Sequence, residues 1–386
     1  MEPELTQVNT SLTIAELKAH PKELIYDWAD SKKWTWSDKE VHSLVDAGLE
    51  PLIEIGEGTY NGLPRYSGTI ADPSVIGVDL YLAYQYRFGR AAARRYKGKA
   101  RIWQIENELN EAFLSGFMGQ RLVAGIWGNW TFLTTLLHTL KDAVRAEIPD
   151  AHITMNFHTD VPKIVHEQLD LPGYYEDAVQ DWASVFSILS FDAYPCMYIA
   201  DPQRAFIVGD RLEKIKQAAK VNETGMKVFV METGYPVDAP GNHPPDALLN
   251  FSDHNQAIYI RESVKAVKNR GGHGYFFFKL VADAGMTQPP GGYTPEDESM
   301  FAAIRNFLIT KNETALIEWL LEPGDLEEAI TRASKFMSAP GNGWGLLDQD
   351  NTKREGFYAL RDAFAGHSVQ RKQSMIARKK HPLRSK

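Results

Sequence analysis

The chain has 386 residues, 44% of them hydrophobic and 24% charged, enough to bury one large core or two smaller ones. Its formal charge is −8, but residues 366–386 hold seven Lys/Arg and no Asp/Glu, so residues 1–365 stand at −15, and such an acidic body argues against nucleic acid as the substrate. A single cysteine, Cys196, excludes an internal disulfide framework and a multi-thiolate metal site, and no run reaches the roughly 18 apolar residues of a membrane span.

At the front, MEPELTQVNTSLT has neither a basic n-region nor an apolar h-region, so the chain as written carries no export signal. A leader upstream of Met1 would make the protein secreted or periplasmic; without one it would be cytoplasmic. LTQVN (5–9) is the one strand candidate before the helical stretch Thr13–His20, and the alternative is a first strand upstream of Met1. The pattern leans to the second. From residue 20 to 280, short apolar or β-branched runs alternate with segments of helical period, as repeated βα units do. The strand candidates are ELIYDW (23–28), PLIEIG (51–56), RIWQIE (101–106), HITMNF (152–157), FSILSFDAY (186–194), KVFVME (227–232) and YFFFKL (275–280). Between them, Ser37 and Glu40 form a capping box, Gly48 closes that helix, and Asp72-Pro73 and Asp201-Pro202 place a cap before a first-turn proline.

Strands that read as nearly continuous apolar runs are buried on both faces, as parallel strands under helices are. The expectation is an α/β fold, a (β/α)8 TIM barrel over residues 1–365. A long excursion, 281–343, carries FAAIRNFL and DLEEAITRASKFM and would wall one side of a cleft. The chain returns through GWGLLDQDNTKREGFYALRDAF to a last helix, and the basic run 366–386 reads as a solvated, disordered tail in preference to one that touches a polyanion or membrane surface, with no function assigned to it.

In such a barrel the working residues stand at the C-terminal ends of strands. Two acids stand out there, Glu108 in WQIENELN and Glu232 in VFVMETGYP. With one strand ahead of ELIYDW they fall on strands four and seven, which face each other across a closed barrel. One carboxyl that protonates a leaving oxygen and one carboxylate that attacks the oxocarbenium-like centre are what cleavage of a glycosidic bond needs. Glu54, Glu57, Glu106 and Glu111 form no equivalent pair, although Glu57 could line a subsite. Asn156 and His158 close their strand and could meet sugar hydroxyls, or His158 could be a satisfied structural histidine. Trp34 and Trp36 are a stacking platform or a packed loop. Lys279 at the end of the last strand would suit an anionic sugar.

The Asn-Glu pair at strand four, FDAYP at strand six and the Glu of strand seven together resemble glycoside hydrolase clan A, the retaining (β/α)8 glycosidases. Within it, FDAYP followed by VFVMETGYP is most similar to the family 53 endo-β-1,4-galactanases, with families 39 and 5 also similar. The resemblance implies a β-linked polysaccharide or oligosaccharide as substrate, no cofactor and no metal, Glu108 as acid/base and Glu232 as nucleophile. It also implies that Asn107 bonds the sugar 2-hydroxyl and that Tyr194 donates to Glu232, with carboxyl groups about 5 to 5.5 Å apart. The sequence departs from the pattern where Val237 follows Pro236, where the last strand reads YFFFKLVADAG, and where ELIYDWAD offers Asp27 and Trp28 in place of a strand-two arginine. The chain reads as a monomer. Two other readings stand beside this one: a barrel that binds carbohydrate without cleaving it, and a barrel enzyme using Lys279 as a Schiff base or a metal held by Glu108, His158 and Glu232.

Overall fold

A computed structural model describes residues 34–55, 73, 77–112, 126–237, 250–282, 295–321 and 343–365. Strand candidates ELIYDW and LTQVN, the Asp72 cap, Glu57, DLEEAITRASKFM and the basic tail lie outside these residues. The chain divides into two compact units, Met1–Asp192 with Lys214–Met231 and Lys311–Ser338, and Ala193–Glu213 with Glu232–Thr310 and Ala339–Lys386.

In the first unit β1 (Leu52–Ile55), β2 (Ile102–Asn107), β3 (His152–His158) and β4 (Ile188–Ala193) pair in chain order, and every pair is parallel. β5 (Lys227–Thr233) begins in this unit. All five sit within two residues of the runs read from sequence. Strands β3 and β4 are buried nearly end to end, yet the two faces differ. Trp103, Ile105, Ile153, Met155, Phe157, Leu189 and Phe191 alternate with Gln104, Glu106, Thr154, Asn156, His158, Ser190 and Asp192, and all are buried. Because side chains alternate with period two, one face is apolar and the other is a buried polar face. A buried polar face is stable only where its groups bond one another. Here Thr154 Oγ1 and Ser190 Oγ are 2.7 Å apart, and Ser190 donates to the Met155 carbonyl at 3.0 Å.

Helices α1 (Thr35–Asp46), α2 (Val78–Tyr96), α3 (Trp130–Glu147), α4 (Lys163–Leu169) and α5 (Tyr175–Trp182) alternate with these strands. α2 and α3 meet at Ala83, Tyr86 and Ala143, and Glu147 of α3 accepts from Arg90 and from Arg94, the latter at 2.7 Å. Arg95 of α2 grips Asp38 of α1 with Nε on Oδ1 at 2.8 Å, which holds the Asp38 carboxyl below the usual carboxylate range. The expected capping box is corrected: α1 starts at Thr35 with Trp34 at the cap and no side-chain cap bond, so Ser37 lies inside the helix. Trp34 is buried against Phe88 and Tyr96, and this packing starts the helix two residues before the serine. Gly48 does close α1, at φ 74°, its N–H on the Val45 carbonyl at 2.9 Å.

In the second unit Asp201 caps Gln203 at 3.0 Å ahead of Pro202, as the Asp-Pro pair predicts, and α6 (Phe206–Ala218) follows. α8 (Asp253–Asn269), which comes after the short α7 (Val221–Thr224), is capped by Ser252 on the Asn255 N–H at 3.2 Å. The reading of YFFFKL as a strand is corrected: β6 is only Gly274–Tyr275. Beyond it the backbone bonds with chain that arrives much later, through Leu346 N–H to Lys279 O at 2.9 Å and Leu347 N–H to Leu280 O at 2.8 Å. Helices α9 (Pro295–Thr310), of this unit, and α10 (Thr314–Leu320), of the first, fill part of the 281–343 excursion, and the helix 355–365 ends the described chain. Six strands alternating with helices among the described residues place the protein in the α/β class.

Candidate active site

The first carboxyl stands where β2 ends, and a bulge puts it there. The pairing of β2 with β3 runs Gln104 to Thr154 and then jumps, Asn107 and not Glu106 facing Asn156. An extra residue in one strand re-aims the side chains that follow it. Glu106 takes it up at φ 89°, and Glu108 follows at φ 47° and ψ 34°, two left-handed positions that non-glycine residues rarely adopt. The shift aligns a row of amides. The Asn107 Oδ1 accepts from Asn156 Nδ2 at 2.8 Å and from Gln104 Nε2 at 3.1 Å. Glu108 is 8% exposed, its N–H is on the Asn156 carbonyl at 3.1 Å, and its Oε1 is 4.0 Å from His158 Nε2. Thus β2 and β3 bring together four residues singled out from the sequence, Asn107, Glu108, Asn156 and His158.

The second carboxylate belongs to the other unit. Tyr194, the residue after β4, donates its hydroxyl to Glu232 Oε2 at 2.5 Å. That length is at the short end for an O–H donor on an ionised acceptor, and such a donor favours the charged form. The Tyr194 ring is held edge-on by Trp344 at 5.4 Å and by Phe278 at 6.1 Å between centroids. The rest of the ETGYP run supports this corner. Thr233 bonds the Tyr259 hydroxyl, and Gln256 Nε2 donates to the Tyr235 carbonyl at 2.9 Å. A Cβ on Gly234 would lie 2.6 Å from the Trp344 ring and 2.8 Å from the Phe278 carbonyl, so only glycine fits.

The remaining sequence candidates separate. Lys279 lies four residues past Tyr275, its Nζ 5.6 Å over the Phe278 ring, and its N–H is on the Trp344 carbonyl at 3.4 Å. Trp34 takes the packed alternative of its two readings, and Trp36 falls inside α1. Sequence reasoning missed three contributors: Gln104, whose amide bonds Asn107; Asn110, wholly buried behind Glu108; and Trp344, 2% exposed against Tyr194. The tryptophan of the return run GWG was the one visible signal. Among the described residues, no group of three or more His, Cys, Asp or Glu could hold a metal ion, and no helix is long and apolar enough to cross a membrane.

No protein-family model matches the chain, and no curated protein matches it. Solved structures do. A GH5_18 protein from Streptomyces cattleya, solved in complex with Manβ1-4GlcNAc, matches 95% of this chain and 71% of its own at 14% identity and a TM-score of 0.52. The two share a fold. Fungal β-1,4-galactanase matches 86% of this chain and 84% of its own at 16% identity and a TM-score of 0.46. The β-glucuronidase of an uncultured Clostridium sp. matches 85% of this chain at 14% identity and a TM-score of 0.46, and the chain spans 42% of that protein's length. The GH5_18 protein carries the name of family 5, one of those that the sequence motifs resemble.

Proposed function

We propose that this protein is a retaining glycoside hydrolase of a β-linked polysaccharide or oligosaccharide, on an eight-stranded (β/α)8 barrel over residues 1–365. The observation that carries the reading is the Tyr194 hydroxyl on Glu232 at 2.5 Å. A carboxylate at a strand end with a phenol donating to it is suited to remain ionised and to attack.

In the first step Glu232 attacks the anomeric carbon as the bond to the leaving oxygen breaks, and that oxygen takes the proton of Glu108. A glycosyl ester of Glu232 results. In the second step Glu108 removes a proton from water, whose oxygen attacks the anomeric carbon and frees Glu232, so two inversions retain the configuration. Asn107 has its amide oxygen committed to Gln104 and Asn156, which turns its amino group into the donor for the sugar 2-hydroxyl. A contact that strengthens in the transition state contributes to rate and not to ground-state binding alone. Asn156, His158, Glu57, Trp34, Trp36 and Lys279 are the remaining candidates for contact with the carbohydrate, and of these the buried Trp34 would act only through packing.

Reducing-sugar release from galactan, mannan, xylan and β-1,3- and β-1,4-glucans, by the parent and by Glu232→Gln, tests the proposal. Turnover of one polymer by the parent alone supports it and names the substrate. Silence from both overturns it in favour of a barrel that only binds carbohydrate, and release that survives the substitution removes Glu232 as nucleophile.

A further inference from the structure

The turn that carries Glu108 is gripped from behind by its own next residues. Asn110 and Glu111, in the 3-10 helix Leu109–Glu111, are 0% and 1% exposed. Asn110 Oδ1 accepts from the His158 N–H at 3.0 Å, while its Nδ2 donates to the His158 carbonyl at 3.1 Å and to the Gly173 carbonyl at 3.0 Å. Glu111 faces His166 Nε2 at 3.2 Å, and His166 Nδ1 lies 3.2 Å from the Pro172 carbonyl. Two successive buried polar side chains therefore tie the Glu108 turn to the segment from His158 to Gly173.

The Asn110 grip has a feature that packing alone would not need. It takes hold of both main-chain groups of one residue, His158, whose Nε2 is 4.0 Å from Glu108 Oε1. Among the described residues the His158 Nδ1 is buried with no hydrogen-bond partner. Asn110 thus holds the main chain from which that imidazole projects. At the other end of the same clamp Glu108 keeps a left-handed backbone, which a non-glycine residue holds only where its surroundings impose it. Glu111 N–H on the Glu108 carbonyl at 2.9 Å closes that turn.

We infer that Asn110 is a positioning residue for Glu108: by clamping the His158 peptide it fixes the Glu108 carboxyl against the imidazole and sets the direction in which the proton is delivered. The inference rests on the acid/base role proposed for Glu108. A misplaced acid harms substrates in proportion to their need for a proton, and a phenol leaving group needs one far more than a dinitrophenol does.

The test is kcat/KM, which reports the first displacement, on phenyl and 2,4-dinitrophenyl β-glycosides of galactose, glucose and mannose. The enzymes are the parent, Glu108→Gln, Asn110→Ala and Asn110→Asp, each checked for folding by its thermal transition. Asn110→Asp keeps the volume and the acceptor for the His158 N–H while losing both donors, so it answers the question if the alanine variant fails to fold. We expect Asn110→Ala to slow the phenyl glycoside about tenfold or more and the dinitrophenyl glycoside about threefold or less, Asn110→Asp to do the same more weakly, and Glu108→Gln more strongly. An equal loss on both leaving groups, or none, in the Asn110 variants while Glu108→Gln discriminates overturns the inference and leaves the enzyme reading standing. A parent inactive on every glycoside, or a Glu108→Gln that does not discriminate, removes the acid/base assignment and the inference with it.

Discussion

Glu108 and Glu232 are held in opposite ways. Glu232 is fixed through its own oxygen, by a phenol at 2.5 Å whose ring is wedged by two aromatics. Glu108 is fixed through its backbone, by a bulge, a left-handed turn and buried amides, with an imidazole 4.0 Å from its carboxyl. The difference teaches what each proposed role demands. A nucleophile must stay charged, and a donor on its oxygen favours that state. An acid/base must take up and release a proton, and for Glu108 the chain that carries it fixes where that carboxyl starts from.

The largest expected effect breaks the comparison on the Glu232 side. Glu232→Gln should lower glycoside turnover on the order of a thousandfold or more, about 4 kcal/mol of transition-state stabilisation, measured as kcat/KM on the substrate found active. Glu108→Gln should cost about 100- to 10,000-fold with poor leaving groups and much less with good ones, read from the same constants across a leaving-group series. Tyr194→Phe should lower kcat by roughly 10- to 100-fold, since a hydrogen bond to a charged group contributes about 1.5 to 3 kcal/mol. The sign in pH follows: without the donor the protonated carboxyl is relatively favoured, so the acidic limb of the rate profile should move to higher pH. An unmoved limb would count against the phenol's role.

Two smaller effects read the scaffolds. Gly234→Ala forces a Cβ against the Trp344 ring and should lower stability by about 1 to 3 kcal/mol, visible as a lower Tm. His166 supplies a pH signature on the other side. Burial disfavours its imidazolium, but the facing Glu111 carboxylate, together with the Pro172 and Leu171 backbone, more than offsets this and raises its pKa above 6.5. The pair's stabilisation is therefore complete below the unfolded pKa and fades as pH rises through the folded one. Denaturant unfolding should show Glu111→Gln costing about 1 kcal/mol near pH 5.5 and less near pH 9.

How much of this could be read from the chain depends on how local each feature is. β1 to β5 announce themselves as apolar runs, and Asn107, Glu108, Tyr194 and Glu232 sit at or just past the strand ends, where those runs stop. The bulge at Glu106 is illegible because nothing in IWQIEN marks a left-handed glutamate. YFFFKL has the composition of a strand, yet after Tyr275 the Phe278 N–H reaches back to the Thr233 carbonyl at 2.8 Å while Lys279 and Leu280 pair with chain that arrives more than sixty residues later, at Trp344 to Leu347. Trp344 reaches the Tyr194 corner by that same distant return, so no local pattern ties it to Glu232. Asn110 was in plain view in NELN, but an asparagine in a turn reads as a cap until its three buried bonds are known.

The proposed retaining mechanism is tested most directly by the anomer released first. Proton NMR of the parent's hydrolysis of the active substrate, followed from the earliest minutes, should show the β anomer appearing before mutarotation supplies the α form, and no release by Glu232→Gln. An α anomer that appears first would contradict double displacement at Glu232.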